Sequence, residues 1–176
     1  MIQRILGVFK LSIPNFEEIE KDKNATMQAA LVVLVVALVS GIGSGLFSSI
    51  MQGSFIKSFF STVISAFLGW IVWAVVSWFV GTKFFGGQAD IGEMLRVIGF
   101  SYTPQVLSII PCVGGIIGWI WSIIAGFIAI RQGLDLDNTK TFFTVAIGFL
   151  FYLILFFVMG AIFGVSSALL GGLGGS

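Results

Sequence analysis

The sequence predicts an all-α integral membrane protein, a bundle of five transmembrane helices preceded by a short amphipathic N-terminal helix. Three observations support this fold class. Only 10% of the 176 residues are charged, whereas 57% are hydrophobic. Four stretches of more than 20 residues contain no charged side chain, and each is long enough to cross a hydrocarbon core of about 30 Å. Small residues recur at a spacing of four along these stretches, which is typical of helices that pack within a membrane.

The residue types present exclude several kinds of chemistry. The chain contains no histidine and one cysteine, Cys112, so neither a disulfide pair nor a metal cluster can be assembled from it. No nucleophile has a histidine beside it, and no pair of carboxylates lies inside an uncharged stretch. The sequence therefore predicts a protein that is not an enzyme. It predicts no catalytic residue, metal, cofactor or nucleic-acid partner.

Residues 1–24 are predicted to be a cytoplasmic amphipathic segment next to the membrane. Arg4 and Lys10 lie on one face of the pattern, and apolar residues lie on the other. The apolar residues at helical spacing are Ile2, Ile5, Leu6, Phe9, Ile13 and Phe16. A short helix of this kind lies in the lipid headgroup region. Because a run of mixed charge follows Pro14, the segment is either a membrane anchor or a docking surface for a cytoplasmic partner.

The transmembrane domain is predicted to occupy residues 25–165, and its first two spans cover about residues 28–50 and 58–82. In the first span, Gly41, Gly45 and Ser49 form a row of small residues at a spacing of four. Such rows allow two helices to approach closely within lipid. This row is therefore predicted to be a helix-packing face.

The third and fourth spans are predicted to form a broken hairpin. Residues 97–130 contain no charge in 34 positions, and a straight helix of that length would reach about 51 Å. Pro104 and Pro111, followed by Gly114 and Gly115, break this stretch near its middle. Arg96 and Arg131 bracket it, and both are expected to face water. The chain should therefore return to the side of the membrane that it left, whether the hairpin spans the bilayer or only enters it.

The return limb and the last span carry further rows of small residues. Gly114, Gly118, Ser122 and Gly126 recur at an unbroken spacing of four and are predicted to be buried against another helix. The fifth span covers about residues 141–165. It carries one more set of packing residues, the pair Gly160 and Gly164. Residues 166–176 are predicted to be a flexible glycine-rich tail. These small-residue faces also predict a homo-oligomer surrounded by membrane lipids.

Lysine and arginine positions predict the orientation of the chain. In a five-span arrangement, eight of these residues lie on the side of the N terminus, and Lys57 alone lies on the other side. The eight are Arg4, Lys10, Lys21, Lys23, Lys83, Arg96, Arg131 and Lys140. The N terminus is therefore expected in the cytoplasm and the C terminus outside.

Polar side chains concentrate around Pro104. One interpretation is that they satisfy backbone carbonyls freed by the missing proline N–H. The other is that they form a small pocket for a lipid headgroup, an ion or a solute, with Glu93 and Arg96 at its cytoplasmic mouth. The candidate site consists of Glu93, Arg96, Ser101, Tyr102, Pro104 and Gln105, and Thr103 lies among them.

Three stretches give the chain a family resemblance. Residues 14–19 read PNFEEI before the first span, residues 96–104 read RVIGFSYTP, and residues 121–133 form the return limb. In the order of its spans and in these stretches, the chain resembles the Yip family, named for interaction with Ypt/Rab GTPases. The resemblance implies a cytoplasmic N terminus and formation of homo- and hetero-oligomers. Eukaryotic members are Golgi and endoplasmic-reticulum proteins that assist vesicle traffic.

The longer N-terminal domain of the eukaryotic members, and their Asp-Leu-Tyr-Gly-Pro type of motif, have no counterpart here. The resemblance therefore implies a short prokaryotic-type member in the cytoplasmic membrane, and it does not predict GTPase binding. The predicted function is a non-enzymatic scaffold or adaptor that organises membrane partners or membrane shape. The alternatives are a small oligomeric transporter or channel, or a lipid-handling protein, with its polar site at Pro104.

Overall fold

The computed structural model describes residues 1–109 and 113–173, without the side chains at positions 155, 156 and 159–173. The all-α prediction is confirmed, since these residues form helices and no strand. The α-helices are α1 (Ile2–Phe9), α2 (Ile13–Lys21), α3 (Ala25–Ile50), α4 (Phe55–Phe85), α5 (Ile91–Ser101), α6 (Val113–Gly133) and α7 (Asn138–Leu173). A 3₁₀ helix, Thr103–Ile109, follows α5.

Three of the described helices are long and apolar enough to cross a membrane. They are α3, α4 and α6, with 26, 31 and 21 residues respectively. The stretch Asn138–Ile154 of α7 is apolar as well but shorter. At about 1.5 Å per residue, α3 and α4 exceed the thickness of the hydrocarbon core, and α6 matches it. This composition is that of an integral membrane protein.

The chain changes helix type at Pro104. The α-helix ends at Ser101, and the N–H of Gln105 bonds to the carbonyl of Tyr102 at 2.9 Å, three residues back. Proline has no N–H to donate, which favours a tighter turn here. The 3₁₀ helix and α5 then pack along α6. Pro111, the second proline of the predicted break, lies outside the described residues.

Gly118 allows α6 to lie against the 3₁₀ helix. A Cβ atom added at Gly118 would lie 2.6 Å from the carbonyl oxygen of Pro104 and 3.3 Å from the Cα of Gln105. Both are backbone atoms, which cannot move aside as the end of a flexible side chain would. A larger residue at position 118 would therefore push the two limbs of the hairpin apart.

The N-terminal segment packs into the bundle. α1 and α2 form a helical hairpin that contacts α5 and α6, and Val8, Phe16 and Ile19 are fully buried there. Ile2 and Leu6 remain exposed. Ile13 is exposed as well, so the apolar face expected to meet lipid headgroups is only partly covered by protein, with Phe16 buried and Ile5 and Phe9 half-buried. An amphipathic period shows which residues share a face, and it does not distinguish a lipid surface from an apolar helix as the partner.

The last helix is longer than the predicted fifth span. α7 continues past residue 165 to Leu173, so its backbone includes most of the segment predicted to be a tail. The surroundings of Gly160 and Gly164 lie outside the described residues. Near its start, α7 packs against α4, where Gly148 lies beside Trp73 and Val76.

Candidate functional site

A cavity of about 430 Å³ lies between α4, the end of α5, the 3₁₀ helix, α6 and α7. Its polar lining consists of Ser101, Tyr102, Gln105, Ser122 and Tyr152. Its aromatic lining includes Trp73, Trp119, Phe127 and Phe149. Clefts of this size, mostly apolar with a few polar groups, are typical of sites for small molecules.

The polar residues around Pro104 divide between two roles. The Ser101 hydroxyl donates to the carbonyl of Ile98 at 2.7 Å, and the Thr103 hydroxyl donates to the carbonyl of Phe100 at 2.6 Å. Both hydroxyls therefore satisfy backbone groups next to the break, as the first interpretation expects. Tyr102 and Gln105 line the cavity without such a bond, and Ser101, whose hydroxyl is already paired, lines it beside them. Both interpretations thus apply to the cluster, and Ser101 belongs to each.

Ser122 lines this cavity, and its hydroxyl is buried. The residue is 9% exposed, and its Oγ has no hydrogen-bond partner among the described residues. An unsatisfied buried hydroxyl costs about 1–3 kcal/mol. Ser77 in α4 also has an unpartnered Oγ, but it does not contribute to the described lining of the cavity. Ser122 is therefore a residue of the cavity wall whose hydroxyl lies just beneath the wall surface without a partner.

The row of small residues on α6 changes role along its length. Gly114 and Gly118 are buried, and Gly118 lies against the 3₁₀ helix. Ser122 and Gly126 line the cavity one and two turns further on. A Cβ atom added at Gly126 would meet only the Ser101 Oγ, at 3.8 Å. The spacing of four keeps these residues on one face, and that face is covered for only half of its length.

The row on α3 packs against α4. A Cβ atom added at Gly41 would lie 3.0 Å from the ring of Phe59, and one added at Gly45 would lie 2.7 Å from the ring of Phe55. Ser49 is exposed and donates to the carbonyl of Gly45 in its own helix, at 3.0 Å. The two glycines therefore lie within the interface of a single chain.

The structure separates Glu93 from Arg96. Glu93 forms a capping box at the start of α5, where its carboxylate accepts from the N–H of Asp90 at 2.6 Å. Arg96 is 5% exposed instead of facing water. Its Nε and Nη2 donate to the carbonyl of Glu20 at 2.9 and 2.6 Å, and Nη1 donates to the Thr26 hydroxyl at 3.5 Å.

Arg96 thereby caps the carboxyl end of α2. The last carbonyls of a helix have no partner within it, and the helix dipole places partial negative charge there. A buried guanidinium satisfies both requirements. Glu20 and Arg96 are 76 residues apart. No local pattern in the sequence could therefore have revealed this contact.

A second arginine holds the N-terminal hairpin together. Arg4 forms ion pairs with Glu18 at 2.9 Å and with Asp22 at 2.6 Å, and it also donates to the side chain of Gln28 at 3.0 Å. The hydrogen bond from Arg4 lowers the pKa of the Asp22 carboxyl. Arg4 thus ties α1 to the end of α2 and to the start of α3.

The carboxyl of Glu20 lies near other acidic groups beside the Arg96 contact. Burial raises the pKa of Glu20 to about 7, and the neighbouring carboxylates of Asp135, Glu93 and Glu17 add to the increase. Lys21 acts in the opposite direction. The stability of α2 against the bundle is therefore expected to change with pH between about 5 and 7.

Comparison with known proteins gives one family. The model of the Yip1 domain matches residues 7–172, which is nearly the whole chain. No curated protein and no solved structure shows a significant match.

Proposed function

The chain belongs to the Yip1 domain family, and we propose that it is a non-enzymatic membrane scaffold or adaptor that presents its N-terminal hairpin to a partner. Membership of the family supports a membrane protein of the Yip type. The docking of α1 and α2 on the bundle carries the finer proposal. A segment that only anchored the chain to lipid would not need a buried arginine at the end of its second helix.

The proposal includes five spans. The first and second spans are α3 and α4, the fourth is α6 and the fifth is α7. The third is the limb made of α5, with 11 residues, and the 3₁₀ helix, with 7 residues. At about 1.5 and 2.0 Å per residue, the two together reach at most about 30 Å, and the uncharged part from Val97 to Ile109 reaches about 22 Å, so this limb enters most of the hydrocarbon core.

The distribution of positive charge supports a cytoplasmic N terminus and an external C terminus. Eight lysines and arginines lie on the proposed cytoplasmic side, and one lies on the other side. Arg96 is buried, but its guanidinium meets the end of α2, which lies on the same side as the N terminus. Burial of Arg96 therefore leaves the proposed orientation unchanged.

The hairpin presents a rigid surface of mixed charge. Glu17, Glu18, Lys21 and Lys23 are exposed, while Phe16 and Ile19 on the opposite face of α2 are fully buried. A pre-organised helix loses little conformational freedom on binding, which favours its use as a docking surface. A cytoplasmic protein of complementary charge is the partner that this surface suits.

The test is crosslinking in native membranes, followed by purification and mass spectrometry. We expect a near-stoichiometric soluble partner with the unaltered chain and several-fold less with the double variant Lys21→Gln and Lys23→Gln. The matched control is Lys83→Gln with Lys140→Gln, which removes the same charge from the same proposed side but outside the hairpin. Recovery of contacts between copies of this chain alone would contradict the adaptor.

Surface substitutions are preferable to deletion of residues 1–24. Phe16 and Ile19 pack in one core with Val97 and Ile98 of α5. Removing the hairpin would expose that core, and loss of a partner could then reflect unfolding. Lys21 and Lys23 are exposed and do not belong to that core.

A transporter is the competing proposal, and the cavity is the observation that favours it. Gln105 and Tyr102 line this cavity close to the break at Pro104. Gln105→Leu in reconstituted vesicles would abolish solute flux in a transporter, whereas partner recovery by a scaffold would be unchanged. Self-association is part of either proposal, and it would use faces other than Gly41 and Gly45, because α4 already covers both.

A further inference from the structure

We propose that the cavity between α4, α5, α6 and α7 binds an uncharged membrane lipid that carries a hydroxyl or carbonyl group, and that this lipid enters sideways between α6 and α7. This site is independent of the N-terminal docking surface. It is assigned from the cavity, the unpartnered hydroxyl of Ser122 and the exposure of the cavity rim.

The rim shows where a ligand would enter. Trp119 of α6 and Phe149 of α7 both line the cavity, yet they are 63% and 53% exposed. Ile120 and Leu150 beside them are exposed as well. In a membrane, this apolar outer surface contacts acyl chains. A molecule already dissolved in the bilayer therefore reaches the cavity without passing through water.

The lining favours hydrogen bonding to an uncharged group. Tyr102, Gln105, Ser122 and Tyr152 line the cavity, and none of their side chains forms a hydrogen bond to another described residue. The described lining contains no charged side chain. An ionised headgroup placed there would lose its hydration without a counter-charge, at a cost of several kcal/mol. A hydroxyl or ester carbonyl avoids that cost and pairs with the free groups.

The remaining walls suit hydrocarbon. Trp73 and Tyr152 meet edge to face, with ring centroids 6.3 Å apart, and Phe127 and Ile130 extend the apolar surface. A volume of about 430 Å³ is in the range of sites that enclose a small ligand or part of a chain. The geometry thus fits the glycerol-ester region of a neutral glycerolipid, such as a diacylglycerol, together with part of one chain.

The experiment uses the full chain in phosphatidylcholine vesicles that contain a trace of diacylglycerol with a diazirine in one acyl chain. After irradiation, crosslinked peptides are identified by mass spectrometry. We expect label on the cavity-lining parts of α6 and α7, and several-fold less when the same diazirine chain is carried by phosphatidylcholine. Equal labelling by the two probes would overturn the assignment to an uncharged lipid.

Two variants on the same helix provide the matched comparison. Gly126→Leu fills the cavity, because a Cβ there meets no atom closer than 3.8 Å. Gly115→Leu adds the same side chain on α6 where no atom lies within 4 Å, away from the cavity. We expect several-fold less label with Gly126→Leu and no change with Gly115→Leu. Equal labelling of both would overturn the site.

Ser122→Ala keeps the proposal testable if the larger substitution disturbs folding. It deletes one hydroxyl and is expected to reduce the preference for diacylglycerol over phosphatidylcholine. An unchanged preference would contradict a role for Ser122.

Partner recovery by the N-terminal hairpin is measured on the same variants and should not change, so failure of this proposal is distinguishable from failure of the scaffold.

Discussion

Along the limb formed by α5 and the 3₁₀ helix, polar side chains have hydrogen-bond partners at one end and lack them at the other. At the α2 end, Arg96 is buried and donates to the Glu20 carbonyl and the Thr26 hydroxyl, among fully packed apolar residues. At the other end, Tyr102, Gln105 and Ser122 line the cavity, and the buried Ser122 hydroxyl has no partner among the described residues. The first end is built for stability. The second retains unsatisfied groups, which a packed core would avoid unless something else used them.

The largest expected loss of stability follows from a substitution at the packed end of the limb, where α2 meets α5. Phe16→Ala removes a fully buried ring from the contact with α5 and should lower the free energy of unfolding by about 3–5 kcal/mol. Thermal unfolding in detergent would measure the loss. Ile13→Ala, in the same helix but exposed, should change it by less than about 1 kcal/mol. Similar losses for the two variants would show that α2 is not docked as described.

Arg96→Met tests the cap on α2. It retains much of the apolar length of the side chain but leaves the last carbonyls of α2 without a donor, so the loss should be about 2–4 kcal/mol. Limited proteolysis should then cut the N-terminal hairpin first. Arg131→Met, at a half-buried position whose guanidinium bonds to the side chains of Gln132 and Asn138, is the control and should have a small effect.

Unaltered proteolysis of Arg96→Met would mean that the hairpin stays docked without its buried cation. The stability of the packed end would then depend on apolar contacts alone, and its contrast with the polar cavity would be weaker.

Removing a hydrogen-bonded hydroxyl and an unpartnered one should change stability differently. Thr103→Val removes a hydroxyl that donates to Phe100 and should cost about 1 kcal/mol. Ser122→Ala removes an unpartnered hydroxyl, so in detergent without added lipid it should leave stability unchanged or raise it by up to about 1 kcal/mol. Melting temperatures of both variants would check this. Equal losses would show that Ser122 has a structural partner.

Stability at the packed end is also expected to depend on pH. The pKa of Glu20 is about 7, above its ordinary value of 4.5, so the folded chain holds this proton more tightly than the unfolded chain. Stability should therefore fall as pH rises from about 5 to about 7 and stay level above that range. Glu20→Gln should flatten the profile of melting temperature against pH. A profile identical to that of the unaltered chain would exclude Glu20 as the cause.

Part of the cavity could be anticipated from the sequence. Their position around Pro104 identifies Ser101, Tyr102 and Gln105, because polar groups are rare in an uncharged stretch and proline frees a backbone carbonyl. The spacing of Ser122 with Gly118 and Gly126 predicts helix packing instead. Tyr152, on the last helix, had no signal of its own. The residues that flank a position in the sequence do not show which helix packs against it.

The sequence by itself determined the class of protein, the helical fold and the family. These follow from composition and from local backbone chemistry, since long uncharged stretches require helices in lipid. Only the tertiary structure decided that Arg96 is buried against α2 and that half of a small-residue row faces open space. Periodicity specifies which residues share a face, whereas contacts between residues 76 positions apart, as between Glu20 and Arg96, decide what covers that face.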